Sequence, residues 1–181
     1  MSRRHGFTLV EMLVVIAIIS VLSALVLAAL GTARRTANEN ATKAIIKLLE
    51  GALERYSTDF NDYPPSDGDE TGIRGSENLW RCLRTEKKEG PYLRDGDIKT
   101  CDSNRNGEPE IADAWGRPIR YLHHHDYGSK NPRKHDFRLI SAGPNGIYEE
   151  GHKTSDDIVN WDKNGPEAKD FGAAIPKPKH K

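Results

Sequence analysis

Residues 7–30 limit most strongly what this chain can fold into. These 24 residues contain one charged side chain, Glu11, among apolar and small residues. As a helix the segment would be about 36 Å long, enough to cross a hydrocarbon core of about 30 Å with some tilt. A cleaved secretory signal has a shorter apolar region followed by a small-residue cleavage site, whereas residues 28–31 open a helical pattern. The segment therefore predicts a membrane-spanning helix.

The flanking charges give only a weak indication of orientation. Arg3 and Arg4 favour the cytoplasmic side for the N-terminus, but Arg34 and Arg35 on the far flank weaken that rule.

Glu11 is the residue that an ordinary membrane anchor does not explain. A carboxylate in a membrane helix is costly and usually has a partner, yet residues 7–30 contain no Lys, Arg or His. If the chain were cut after Gly6, Phe7 would carry a free α-amine one helical turn from Glu11 and on the same face. The partner of Glu11 would then be that amine or the amine of the next copy of the chain.

The stretch RRHGFTLVEMLVVIAIISVLSAL closely resembles the class III signal of the type IV pilin superfamily. Its marks are a short basic leader, Gly6 before the cut, Phe7 as the mature N-terminus and Glu11 at the fifth mature position. The resemblance implies that a prepilin peptidase cuts between Gly6 and Phe7 and methylates the new amine. It also implies that Glu11 pairs with the Phe7 amine of a neighbouring subunit during assembly. An ordinary anchor with a stray Glu is the alternative.

The apolar pattern becomes one-sided after the membrane segment. Ile45, Leu49, Ala52 and Tyr56 follow at spacings of four, three and four, which is one helical face. The stretch TDFNDYPP, residues 58–65, contains the Asn, Asp and Pro residues that end helices. One helix of about 50 residues is predicted, with residues 7–30 in the membrane and 31–58 on its periplasmic side.

Residues 59–161 predict a small globular domain. The stretch SENLWRCLRTE is a short helical candidate, GRPIRYLHH and HDFRLISAG read as two strands, and a short strand is expected near residues 158–161. Residues 162–181 are rich in Pro, Lys and Gly and are predicted to be a mobile tail. The predicted class is α+β: a long N-terminal helix packed on a small antiparallel sheet with long loops.

The order of motifs resembles the major pseudopilins of type II secretion systems over nearly the whole chain to Trp161. The motifs are YPP, NLWRCL, GPYL, DAWGRPIRYL and DFRLISAGPNG followed by DDIVNW. Two residues depart from the family pattern, since Ala114 stands where Pro is usual and Asn145 where Asp is usual. The resemblance implies a pilin-like fold and a structural subunit that polymerises through its N-terminal helix.

The same resemblance implies a structural calcium ion in the last loop. It carries over Asp156 and Asp157 as carboxylate ligands, Asn145 as an amide ligand, and backbone carbonyls near Ile140 and Gly143. Calcium takes six to eight oxygen ligands of these kinds. Asn in place of Asp removes a charge and should lower the affinity. The alternative is that two adjacent acids merely cap a strand.

A second calcium candidate comes from the spacing of CDSNRNGEPEIAD. It satisfies the first half of an EF-hand loop, D-x-[DN]-x-[DN]-G, with Gly107 at the sharp turn. The expected ligands are Asp102, Asn104, Asn106, the carbonyl of Glu108, and Asp113 at the twelfth position. Pro109 argues against the motif, and an ordinary polar turn is the alternative.

Two cysteines and a histidine run complete the candidates. Cys82 and Cys101 are expected to form a disulfide in an oxidising periplasm, with two free thiols as the alternative. If His123–His125 lay in a strand, at most His123 and His125 would point together. No HExxH, nucleophile motif, phosphate-binding glycine loop or nucleic-acid stripe is present, so no enzyme is predicted.

The predicted function is that of a structural pseudopilus subunit in the inner membrane, single-pass, with its C-terminal domain in the periplasm. Its expected partners are further copies of itself, prepilin peptidase, other pseudopilins and the inner-membrane assembly platform. A type IV pilin or minor pilin is the alternative within the same class. A membrane-anchored calcium-binding module that never polymerises, and a metal hydrolase using His123 or His125, are alternatives from other classes.

Overall fold

A computed structural model describes residues 8–68, 71–94, 96–124, 137–149 and 154–163. The predicted leader, residues 1–6, and the predicted tail beyond residue 163 lie outside the described residues. The chain divides into two compact units, Met1–Ala37 and Asn38–Lys181.

The first long element is helix α1, Leu9–Phe60, which continues through 52 residues. Its N-terminal part is long and apolar enough to cross a membrane, by length and composition. Most of the large apolar side chains described there are more than half exposed, for example Leu13, Ile16 and Val21. The helix ends where Asn61 adopts a positive φ of 57°, just before Pro64 and Pro65.

The second unit contains the remaining described elements. Helix α2 is Ile73–Leu83. Strands β1 (Thr100–Cys101) and β2 (Glu110–Ile111) form an antiparallel pair. Strands β3 (Arg120–His123), β4 (Phe137–Ser141) and β5 (Ile158–Val159) form an antiparallel sheet in that order. The predicted α+β class, a long N-terminal helix with a small antiparallel sheet, is confirmed.

One hydrophobic core joins the C-terminal part of α1 to α2 and the sheet. Its fully buried members come from every one of these elements: Leu49, Leu53, Leu79, Leu83, Tyr121 and Leu139. The one-sided pattern of the sequence explains the α1 contribution, because Leu49 and Ala52 of the predicted face are fully buried. The other two residues of that face, Ile45 and Tyr56, are partly buried against the same core.

Helix α2 approaches β3 closely at Gly75. A Cβ atom at this position would lie 2.1 Å from the carbonyl oxygen of Tyr121, which no real contact allows. The next residue, Ser76, accepts a hydrogen bond from the Ile111 amide at 3.0 Å through its hydroxyl oxygen. Glycine at 75 therefore sets the distance between α2 and the strands.

Replacing Gly75 by Ala is expected to lower the free energy of unfolding by about 3 kcal/mol, because the backbone of Tyr121 would have to move. Gly51→Ala is the matched control. Gly51 lies in α1 with nothing within 4 Å of its added Cβ, so that change should stabilise by about 1 kcal/mol. Denaturant unfolding of both variants in detergent measures the two effects. Equal stability of the two variants would contradict the close approach.

Candidate functional site

Three carboxylates converge between β4 and β5. One oxygen each from Glu149, Asp156 and Asp157 lies within 4.8 Å of the others. Asp156 and Asp157 directly precede β5, and Glu149 lies in the loop that follows β4. We call Glu149, Asp156 and Asp157 the acidic cluster. Because β4 pairs with β5, both ends of the segment that holds this cluster are fixed.

Backbone contacts fold this loop onto the acids. Gly143 has a φ of 58°, and a Cβ there would lie 2.1 Å from the Asp156 carbonyl oxygen, so only glycine permits the approach. The Asn145 amide donates a hydrogen bond to Asp156 Oδ2 at 3.0 Å. The Glu149 amide donates to Asp157 Oδ2 at 2.9 Å. The loop thus places the carboxylates by hydrogen bonds to two of them.

The acidic cluster contains a buried carboxylate oxygen that forms no hydrogen bond among the described residues. Asp157 is only 2% exposed. Within the described part of the chain, Asp156 Oδ1 is buried and has no hydrogen-bond partner. Lys163 lies near the three acids, but its Nζ donates to the Ser155 carbonyl at 2.9 Å. Burial lowers the pKa of Lys163, and attraction to Asp157, Asp156 and Glu149 opposes that change. A cation with several oxygen ligands would relieve the repulsion.

The five residues expected around calcium are only partly brought together. Asp156 and Asp157 are in the cluster, and Asn145 touches it, since its Nδ2 donates to Glu149 Oε2 at 3.3 Å. The carbonyl of Gly143 instead accepts a hydrogen bond from Arg117 Nη1 at 2.9 Å. Ile140 is buried in β4, opposite Arg120 and Val159.

Glu149 is the member that the sequence reasoning missed. It lies four residues after Asn145 and eight before Asp157, so no fixed spacing links it to the aspartates. The available signal was the acidic composition of the loop GIYEEGHKTSDD.

The second calcium candidate does not assemble in the predicted form. Asp102 accepts hydrogen bonds from the amides of Asn106 and Gly107, both at 3.1 Å, so the turn itself forms. Asp113 does not join this loop, which corrects its expected role as twelfth ligand. It is 2% exposed and accepts hydrogen bonds from the Ser141 hydroxyl at 2.7 Å and the Trp115 amide at 2.9 Å. The Asp113 carboxylate therefore has a structural role inside the protein, which the spacing of the motif does not reveal.

The remaining members of that candidate serve the turn and a neighbouring helix. The Asn104 and Asn106 side-chain amides both donate to Glu77 Oε1 of α2, at 2.7 and 2.8 Å. The amide of Glu108 donates to Asn106 Oδ1 at 2.8 Å. These are contacts of an ordinary polar turn, the alternative stated for this stretch.

The predicted disulfide is absent, because Cys82 and Cys101 are free cysteines. Their thiols face different partners. The Cys101 Sγ donates to Glu110 Oε2 at 3.5 Å, and burial together with this carboxylate raises its pKa to about 12. Cys82 on α2 contacts Tyr56, and burial raises the pKa of its thiol.

The histidine prediction also needs correction. Strand β3 ends at His123, so His124 leaves the alternating pattern and its ring lies 4.1 Å from the His123 ring, centroid to centroid. His125 lies outside the described residues.

Glu11 occupies the first turn of α1, whereas Gly6 and Phe7 lie outside the described residues. Thr8 donates to Glu11 Oε2 from both its amide and its hydroxyl, each at 2.8 Å. The Glu11 amide donates back to the Thr8 hydroxyl at 3.2 Å. This reciprocal pattern is a capping box, which the sequence signal T-x-x-E at residues 8–11 could have revealed.

Comparison with known proteins places the sequence among secretion proteins. Residues 1–27 match the family model described as the prokaryotic N-terminal methylation motif. The type II secretion system core protein G of Escherichia coli K12 is 35% identical over 161 residues, covering 88% of this chain and 92% of that protein. The core protein G of Pseudomonas aeruginosa is 32% identical over 164 residues, covering 90% and 99% respectively.

Among solved structures, the major pseudopilin from the type 2 secretion system of enterohaemorrhagic E. coli matches with a TM-score of 0.39 and 24% identity. That match covers 73% of this chain and 93% of the solved one.

Proposed function

The chain belongs to the family of type II secretion system core protein G, the major pseudopilins, and we propose that its N-terminal helix builds it into a pseudopilus. It is a structural protein with no catalytic role. The observation that carries this proposal is the exposed apolar part of α1, which bears the methylation motif and a single charge, Glu11.

The proposed mechanism is assembly by helix burial. Apolar side chains such as Leu13, Ile16 and Val21 leave lipid and pack against the helices of neighbouring copies. Glu11 enters the same apolar surroundings, and a neighbour's Phe7 amine neutralises it there. Because a charge without a partner is disfavoured in such surroundings, the pair favours one stagger between successive copies. The globular units coat the outside of the bundle of helices.

We also propose how the chain is processed, where it resides and what it joins. Prepilin peptidase cuts after Gly6 and methylates Phe7. The chain is anchored in the inner membrane, with its C-terminal domain in the periplasm. The other pseudopilins and the inner-membrane assembly platform of the secretion system then receive it.

Mass spectrometry of the chain from cells with an intact secretion system tests the processing step. The expected mature chain starts at Phe7 and carries one methyl group on its α-amine. Gly6→Val is expected to leave the leader attached and to give no filaments, because the basic leader with Arg3 and Arg4 cannot be buried in the helix bundle. Filaments of uncut chain would contradict this model.

We also propose that the acidic cluster binds calcium. Glu149, Asp156 and Asp157 supply carboxylate oxygens, and Asn145 lies close enough to add its amide oxygen after a change of rotamer. Hard oxygen ligands with high negative charge are the set that calcium prefers, and its coordination tolerates irregular geometry. The buried Asp156 Oδ1, which has no partner among the described residues, is the strongest support. Calcium would tie the loop to β5 and remove the repulsion among the three carboxylates.

Calcium analysis of the purified, detergent-solubilised full-length chain tests this second proposal. Equilibrium dialysis is expected to give one calcium per chain, and Asp157→Asn should reduce binding strongly. Asp97→Asn is the matched control, because Asp97 is outside the cluster and accepts a hydrogen bond from the Arg94 amide. Unchanged binding in Asp157→Asn would place calcium elsewhere.

A further inference from the structure

A second group of potential metal ligands lies where β3 ends. One donor atom each from Asp62, His123 and His124 lies within 4.8 Å of the others. Asp62 follows the end of α1, His123 is the last residue of β3, and His124 is the next residue. None of these residues belongs to the acidic cluster, and the assembly mechanism uses none of them.

The backbone around this group is held in place by contacts between its two segments. The Tyr121 hydroxyl donates a hydrogen bond to the Pro64 carbonyl at 2.6 Å. The His123 amide donates to the Ser66 hydroxyl oxygen at 2.8 Å. Tyr63 packs on Phe137 of β4, with ring centroids 4.8 Å apart. The segment that carries Asp62 is therefore fastened to the strand that carries His123 before any ligand arrives.

We propose that Asp62, His123 and His124 bind a zinc-class divalent ion. Two imidazoles and one carboxylate form a common three-ligand set for zinc, with bonds of about 2.0–2.2 Å. Tetrahedral ligands at that bond length are about 3.4 Å apart. His123 Nε2 and Asp62 Oδ1 are already 3.2 Å apart. The ring centroids of His123 and His124 are 4.1 Å apart. Zinc binding requires side-chain rotations that bring the three donors, which lie within 4.8 Å of one another, to about 3.4 Å.

The surroundings leave room for the ion and its remaining ligand. A cavity of about 430 Å³ adjoins the group and is lined by Asp62, Tyr63, Pro65, Ser66, Asp67, Gly68 and His123. The Asp62 side chain is 59% exposed and opens the group to solvent, whereas the His123 side chain is 6% exposed. A water molecule from the cavity would complete four-coordination. The ion would join the end of α1 to β3 and stabilise that junction.

An ordinary hydrogen bond between Asp62 and His123 is the competing explanation of the same geometry. That hydrogen bond involves Asp62 and His123 but not His124, so variants of His124 distinguish it from metal ligation. Zinc ligation predicts that Asp62 and His124 matter equally for metal binding. A hydrogen bond without a metal predicts that neither matters.

Cobalt substitution of the full-length chain, without an affinity tag and in detergent, tests the proposal. Excess calcium keeps the acidic cluster occupied during the titration. The visible d–d absorption of tetrahedral Co²⁺ is expected to appear at one equivalent and to disappear when Zn²⁺ displaces it. Asp62→Asn and His124→Gln are each expected to weaken metal binding at least about tenfold, since even second-shell losses cost about 10–100-fold.

Asp67→Asn is the matched control for these two variants. It lies in the same cavity and accepts a hydrogen bond from Asn78 Nδ2, but it is not one of the three proposed ligands. Its binding should match that of the unaltered chain, and circular dichroism should show that all three variants fold. If neither Asp62→Asn nor His124→Gln weakens binding, other histidines hold the metal and the proposal is wrong. Absence of any tetrahedral Co²⁺ spectrum would overturn it as well.

Discussion

Replacing Glu11 by Gln is expected to leave the chain inserted in the membrane but to reduce its assembly into filaments at least about tenfold. Gln has nearly the same shape as Glu but carries no charge, so the neighbour's Phe7 amine would lose its ionic partner. Among packed helices the charged amine would then have no ionic partner. This raises the free energy of the assembled state more than that of the membrane-inserted monomer. Electron microscopy and the sheared filament fraction measure assembly, and membrane fractionation measures insertion.

The capping box makes Thr8 the control for this experiment. Glu11 accepts two hydrogen bonds from Thr8, so a change at Glu11 affects the start of α1 as well as any pairing between chains. Gln at position 11 can still close a capping box, whereas Thr8→Ala removes the hydroxyl but keeps the carboxylate. If charge pairing drives assembly, Glu11→Gln fails and Thr8→Ala assembles. The reverse result would assign Glu11 to helix capping and refute the pairing mechanism.

The long helix and the main sheet follow from patterns that act over many residues. The predicted one-sided face placed Leu49 and Ala52 in the core, and the predicted strands correspond to β3, β4 and β5. The short helix was predicted over residues 76–86 but spans Ile73–Leu83, because the chain turns at Gly72 with a φ of 71°. The β1–β2 pair was not predicted, since two-residue strands are too short to show a period.

The candidate site was predictable only where adjacent residues share a role. Asp156 and Asp157 are neighbours in sequence and remain neighbours in the cluster. Glu149 joins them through the loop path, which depends on the left-handed turn at Gly143 and on hydrogen bonds that no spacing rule describes. For Asp113 the motif predicted a calcium ligand that the structure does not support. Its carboxylate is buried and accepts a hydrogen bond from the Ser141 hydroxyl, which motif spacing does not reveal.

The free cysteines illustrate the same limit. Connectivity between two cysteines is trivial in sequence, but a disulfide needs both sulfurs to face each other. The side chains of Tyr56 and Glu110 contact the two thiols separately.

Calcium is expected to raise the melting temperature of the full-length chain in detergent by roughly 5–10 °C. A ligand present at a hundred times its dissociation constant adds about 2.7 kcal/mol, and for a unit of this size each kcal/mol corresponds to a few degrees. The physical reason is that folding brings Glu149 to the adjacent Asp156 and Asp157, whereas in the unfolded chain Glu149 is separated from them. Thermal melting followed by tryptophan fluorescence, with calcium and with chelator, measures the shift.

Asp156→Asn is expected to change the melting temperature in opposite directions in chelator and in calcium. In chelator it removes one of three repelling charges and retains an oxygen that can accept from the Asn145 amide, so the variant should melt at or above the unaltered chain. In calcium it loses a charged ligand, so it should melt below the unaltered chain. A residue with a purely structural role would shift the melting temperature in the same direction in both conditions.

The Asp102→Asn variant tests whether calcium binds to the acidic cluster or to the turn at residues 102–108. The Asp102 carboxylate accepts hydrogen bonds from Asn106 and Gly107, so its loss should lower stability equally with calcium and with chelator. If instead Asp102→Asn abolishes the calcium shift and Asp156→Asn retains it, the ion is bound by the turn at residues 102–108. If both variants keep the full shift, neither carboxylate is a calcium ligand, and the convergence of three acids beside β5 must be stabilised in another way.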